Sequence, residues 1–234
     1  LLTLIPLLAM FVLHRPKEVF SSWGFSGNFL VAFALSIFCT APMFIGNALK
    51  MPLTNEISNT LFDAGLPLLF EYMVPAHPGW SYQVYWEGVL NTAVIAGFFE
   101  EIVFRGFIFG QLFRYARCGF MPAVLASIVP FAFLHIQLEW KWVAIGSMFI
   151  FTALDGAFFC WMFTQWRYNI WVPIWLHILI NLSWIAFEGN NSESRIWANV
   201  VRLAAIAMSV LFTIWFKKQS GGSLRLEGYY KKPR

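Results

Sequence analysis

Charge is scarce in this sequence. Asp, Glu, Lys and Arg make up 12% of its 234 residues, against 59% hydrophobic. A soluble globular protein carries about twice that charged share. No long polar stretch separates the apolar runs, so no separate soluble domain fits. Cysteine is also sparse: Cys39, Cys118 and Cys160 show no paired spacing. They give neither a zinc nor a disulfide framework and read as small packing residues. No His-Glu-x-x-His zinc signature, Gly-rich phosphate loop, internal repeat or low-complexity segment occurs.

What is abundant is apolar and aromatic. Twelve Trp and 26 Phe suit a lipid-embedded body with aromatic belts at its interfaces. The expectation is one all-α, polytopic integral membrane domain over residues 1–234, with about seven spans. The net charge of +4 comes largely from a basic tail, 217–234, with Lys217, Lys218, Arg225, Lys231, Lys232 and Arg234. That placement suits a cytoplasmic membrane surface and not nucleic acid.

Taken in order, Leu1–Leu13 is apolar but short of the roughly 20 residues a spanning helix needs. His14–Asn28 reads as a loop and Phe29–Leu49 as a span with a kink at Pro42. Lys50–Gln83 is the longest polar connection, and Ile57–Phe70 within it suits a short interfacial helix. Val84–Phe113 is a long, tilted span. Ala93, Gly97, Gly106 and Gly110 in it are small residues that let helix backbones approach. Further spans are expected at Gly119–Gln137, Trp142–Thr164, Ile170–Phe187 and Ile196–Phe216. The turn at Glu139–Lys141, the corner Trp166–Asn169 and the polar loop Glu188–Arg195 join them. Arg15/Lys17, Arg114/Arg117, Arg167 and the tail mark alternate loops as positive, so these loops and the C-terminus are predicted to be cytoplasmic.

Besides Glu87 near its start, which suits an interface, the span Val84–Phe113 holds Glu100, Glu101 and Arg105 within its apolar run. Ionisable residues at membrane depth are rare and usually functional. Glu101 and Arg105 are four apart and can pair on a helix face, while Glu100 points one position round. The division this suggests is Glu101 held ionised by Arg105 and Glu100 facing a polar cavity. The plainer reading is a structural ion-pair cluster. His135, four after Phe131, lies late in the next span, and His177 and Asn181 share a face of a later one. Two histidines, an acidic pair and an asparagine on three spans would supply a base, its partner and hydrogen-bond donors. That is the minimum set for water-based peptide hydrolysis.

Other polar residues rank lower. Asp155 lies in an apolar run, but the only other aspartate, Asp63, is in a connection. A two-aspartate intramembrane mechanism is therefore disfavoured, and Asp155 reads as a helix-to-helix hydrogen bond. Gly24-Phe25-Ser26-Gly27 matches the GxSG string of rhomboid serine proteases, yet it lies in a polar loop and reads as a Gly/Ser turn.

Three motifs stand in order at membrane depth: Glu100-Glu101-Ile102-Val103-Phe104-Arg105, Phe131-Ala132-Phe133-Leu134-His135 and His177-Ile178-Leu179-Ile180-Asn181. In them the sequence resembles the CAAX protease and bacteriocin-processing family of intramembrane endopeptidases. The resemblance covers about Val84–Trp184, within a motif-bearing core of 84–187. It implies an all-helical core around a water-filled intramembrane cavity and glutamate-dependent hydrolysis with no cofactor. Glu100 and His135 would activate a water, and His177 and Asn181 would bind the oxyanion. Glu101, Arg105 and Phe131 would support them. A zinc ion on Glu100, His135 and His177 is the alternative the sequence leaves open. The implied partners are membrane lipids and a membrane-associated peptide, such as a CAAX-type tail or a bacteriocin or signal-peptide-like substrate. Two other readings remain: a non-proteolytic immunity or scaffold protein, and a small proton-coupled transporter, against which the missing internal repeat weighs.

Overall fold

The computed structural model describes residue 8 and residues 18–50, 86–135, 142–187 and 192–224. Among the described residues every regular element is helical. Leu1–Leu13 (save Leu8), Lys50–Gln83 with its interfacial helix, the turn Glu139–Lys141 and the end of the tail lie outside the described residues.

The expected loop His14–Asn28 contains a short helix, α1 (Val19–Trp23). Gly24 ends it in the left-handed region, at φ 96°, and the Phe25 N–H then closes back onto the Phe20 carbonyl at 3.1 Å. The Gly-Phe-Ser-Gly string is thus a turn. Asn28 opens α2 (Phe29–Lys50), its side-chain oxygen accepting the Val31 N–H at 2.9 Å. The expected span Val84–Phe113 is helical but mostly wide-turned: π1 (Val89–Ile95), α3 (Ala96–Glu101), π2 (Ile102–Phe109) and π3 (Gln111–Tyr115). Such i→i+5 turns are rare in long runs and often mark functional sites. The two glutamates fall at the end of the one short α-helical insert.

Then follow α4 (Phe120–Phe133), α5 (Trp142–Gln165), α6 (Trp171–Phe187) and α7 (Ser192–Gln219). Two expected boundaries move. α4 ends at Phe133, short of Gln137: the Leu134 N–H still meets the Pro130 carbonyl at 3.2 Å, but the His135 N–H closes on the Ala132 carbonyl at 3.1 Å in a tighter turn. α7 begins at Ser192, inside the expected polar loop, leaving that loop short. The corner after α5 is as tight as expected: Arg167 and Tyr168 both have φ near 58°. The Tyr168 N–H reaches back to the Phe163 carbonyl at 2.8 Å. Asn169 finishes the corner, accepting the Trp171 N–H at 3.2 Å and donating to the Asn28 carbonyl at 3.0 Å.

Among the described residues, Phe29–Ala48, Met148–Gln165 and Val200–Gln219 are long and apolar enough to cross a membrane. Phe120–Phe133 and Trp171–Ile185 are shorter apolar helices. Leu30, Leu154 and Leu211 lie open on these helices, as residues facing lipid tails must. The chain is an all-helical, polytopic membrane protein.

The helices divide into two compact units. One comprises Leu1–Phe33, Phe99–Ile174 and Ile214–Arg234; the other comprises Ala34–Phe98 and Trp175–Thr213. The first has an aromatic core. Phe109 lies 5.2 Å from Phe113, 5.6 Å from Phe120 and 6.3 Å from Phe163 between ring centroids, within the range of favourable ring pairs. The second is aliphatic and small. Val89, Ala93 and Ile185 pack with Leu182, and Asn47 donates to the Ser183 hydroxyl at 3.3 Å. Gly97 permits a close approach there, since a Cβ on it would lie 3.3 Å from the Ile178 backbone nitrogen.

Candidate active site

Glu101 and Arg105 form the centre of the first unit. Arg105 Nη1 donates to Glu101 Oε1 at 2.9 Å, and both side chains are wholly buried. The four-residue spacing read from the sequence therefore makes its ion pair. Burying two charges is costly, and the cost is met only when geometry and further contacts are good. Here the further contacts are aromatic. The Arg105 guanidinium carbon lies 4.5 Å from the Phe131 ring centroid and 5.1 Å from that of Phe159. Cys160, also fully buried, lies beside Arg105 and Ser127. Ser127 in turn donates to the Phe104 carbonyl at 2.8 Å, tying α4 to π2.

Glu100 differs from its neighbour. It is half-buried, whereas Glu101 has no exposed surface. One residue of rotation thus places one carboxylate in the packed interior and the next at its edge.

His135 follows from the early end of α4. The last carbonyls of a helix lack intrahelical partners, and the His135 ring supplies one: its Nδ1 lies 2.8 Å from the Phe131 carbonyl oxygen. A carbonyl can only accept, so Nδ1 carries the proton of that bond. In the neutral ring the lone pair then sits on Nε2, the atom that can take a proton or hold a metal. Phe131 links both groups. Its ring meets the His135 ring edge-on at 4.7 Å, as well as the Phe104 ring at 4.9 Å and the guanidinium. Glu101, Arg105, Phe131 and His135 are therefore one connected chain of contacts.

His177 and Asn181 lie in the second unit, on α6. His177 is buried and Asn181 half-buried. Asn181 Nδ2 donates to the Thr92 carbonyl of π1 at 3.1 Å, one of the two N–H donors its amide carries. Asp155 is buried on α5, next to Gly156.

Sequence spacing missed Phe159 and Gly156, which cover the Arg105 guanidinium from α5, and Ser127, which ties α4 to π2. Their signal was faint. Gly156 was visible as a glycine beside the lone intramembrane aspartate, but nothing local says which helix it faces. Among the described residues no three His, Cys, Asp or Glu side chains gather as a metal site.

An all-helical membrane protein with a buried ion pair wired to a helix-end histidine defines a class, that of polytopic membrane proteins with a polar centre at depth. Within it, residues 82–183 match the profile of the family described as type II CAAX prenyl endopeptidase Rce1-like. That stretch contains all three motifs, so the resemblance read from them holds over it. The candidate membrane peptidase YdiL of Bacillus subtilis (strain 168) is 31% identical over 93 residues, 40% of this chain and 34% of YdiL. The match thus spans about a third of the length of that curated relative. No solved structure matches the chain.

Proposed function

We propose that the chain is an intramembrane endopeptidase that hydrolyses a peptide bond of a membrane-associated protein or peptide. The observation that carries this reading is the 2.8 Å contact of His135 Nδ1 with the Phe131 carbonyl, which in the neutral ring leaves Nε2 as an acceptor. Glu100, half-buried beside the sequestered Glu101, is the carboxylate suited to meet water.

In this mechanism Glu100 and His135 take a proton from a water molecule as its oxygen attacks the scissile carbonyl. The C–O bond forms and negative charge builds on the former carbonyl oxygen, for which the family resemblance names His177 and Asn181 as donors. Collapse breaks the C–N bond, and the captured proton passes to the leaving amine. Glu101 and Arg105 hold the helix that presents Glu100. The substrates that fit are those of the Rce1-like resemblance, a CAAX-type tail or a bacteriocin or signal-peptide-like segment. In this reading the positive loops and the C-terminus face the cytoplasm, as the loop charges favour.

Purified protein in proteoliposomes, given a membrane-anchored reporter peptide, tests the scheme. Glu100→Ala and His135→Ala should each lower cleavage by about 10²–10⁴-fold, the range for losing a positioned base, with Glu100→Ala unfolding at the wild-type temperature. Wild-type cleavage by the Glu100→Ala protein overturns it.

A further inference from the structure

Arg105 is held in an unusual way. A guanidinium has five N–H donors, and here Nη1 bonds Glu101 while the buried Nε and Nη2 find no hydrogen-bond partner among the described residues. Two bonded oxygens would fix the plane of the group; one cannot. Cys160 lies beside the group, and over its faces lie two rings, Phe131 and Phe159, which press it into one plane. Phe131 belongs to the motif that ends in His135. Phe159 belongs to none of the three motifs and stands on α5, 3% exposed.

α5 is shaped to bring that ring in. Gly156, one turn before Phe159, faces α4 and the guanidinium: a Cβ on it would lie 2.8 Å from Ile128 Cγ2 and 3.4 Å from Arg105 Nη2. Bare backbone there lets α5 come close enough for Phe159 to reach Arg105.

We propose that Phe159 is a positioning residue for the peptidase site, and that Gly156 provides the space for it. The Phe159 ring sets the plane of the Arg105 guanidinium. Arg105 then holds Glu101, the residue next to Glu100, and rests on Phe131, whose ring abuts His135. Phe159 thus acts on both halves of the proposed base without touching substrate. This rests on the peptidase reading above.

The test separates a ring from mere bulk. Phe159→Leu keeps most of the volume but removes the π face, and should lower kcat about tenfold with KM unchanged. Phe159→Tyr keeps the face and should restore kcat. Unfolding of the detergent-solubilised protein gives a second readout without substrate: the loss from Phe159→Leu should largely vanish in an Arg105→Met background. A Phe159→Leu protein with wild-type kcat overturns the proposal, as does a Phe159→Tyr protein as slow as the Leu variant. If Glu100→Ala cleaves like wild type, the peptidase scheme itself fails. The seat is then judged by the unfolding cycle alone, where additive effects refute it.

Discussion

At the scale of single residues, the Glu101–Arg105 pair is where stability and chemistry meet. Both side chains are fully buried and joined at 2.9 Å. Removing one partner strands the other charge, so Glu101→Leu or Arg105→Met alone should cost about 3–5 kcal/mol. The double variant, which leaves no charge behind, should be more stable than either single one. Chemical unfolding in detergent micelles checks the order of the three. This pair was fully legible in the sequence, because a four-residue spacing on a helix is a local statement. The seat around it was not. Phe159 and Gly156 lie more than fifty positions away, and no local periodicity announces which remote side chain will cover a guanidinium.

At the scale of elements, turns and helix ends decide where polar groups go. Gly24 has φ 96°, and a Cβ there would fall 2.0 Å from the Tyr168 carbonyl oxygen. Gly24→Ala should therefore destabilise by at least about 1–3 kcal/mol, the usual cost of a strained backbone. Gly146 on α5 is the control, since among the described residues nothing lies within 4 Å of its Cβ position. Gly146→Ala should be neutral or raise stability by up to about 1 kcal/mol, through helix propensity alone. Thermal unfolding of both proteins gives the comparison. Helix positions were readable from the apolar runs, and Phe29–Leu49 and Ile170–Phe187 lie within a residue of α2 and α6. Ends were less so. Pro130 was visible, but it disturbs the turn before it and does not say where the helix ends beyond it, and the place of His135 depends on that. The wide turns of π1, π2 and π3 leave no mark in a pattern of uniformly apolar residues.

At the scale of the whole molecule, the distribution of charge against lipid governs orientation. Arg114, Arg117 and Arg167 sit at helix ends and corners, and Lys217 and Lys218 close α7. A reporter fused after the C-terminus should be active only on the cytoplasmic side. Replacing Arg114, Arg117 and Arg167 together should reduce that bias, since short positive loops set topology. Labelling of single cysteines in intact cells and in inverted vesicles checks both outcomes. The membrane character was legible from composition alone, because few charges and many aromatics fit no soluble core. In the sequence, His177 and Asn181 are related to the other motif residues by shared chemistry alone, because helix spacing relates residues within a span and not between spans.

The bond from His135 to the Phe131 carbonyl has one more consequence. A ring that ends a helix serves folding through one nitrogen and leaves the other for reaction. A substitution here therefore bears on two jobs at once, since His135→Ala strands the Phe131 carbonyl as well as removing Nε2. Its loss of cleavage should come with a lower unfolding temperature, a cost that Glu100→Ala does not carry.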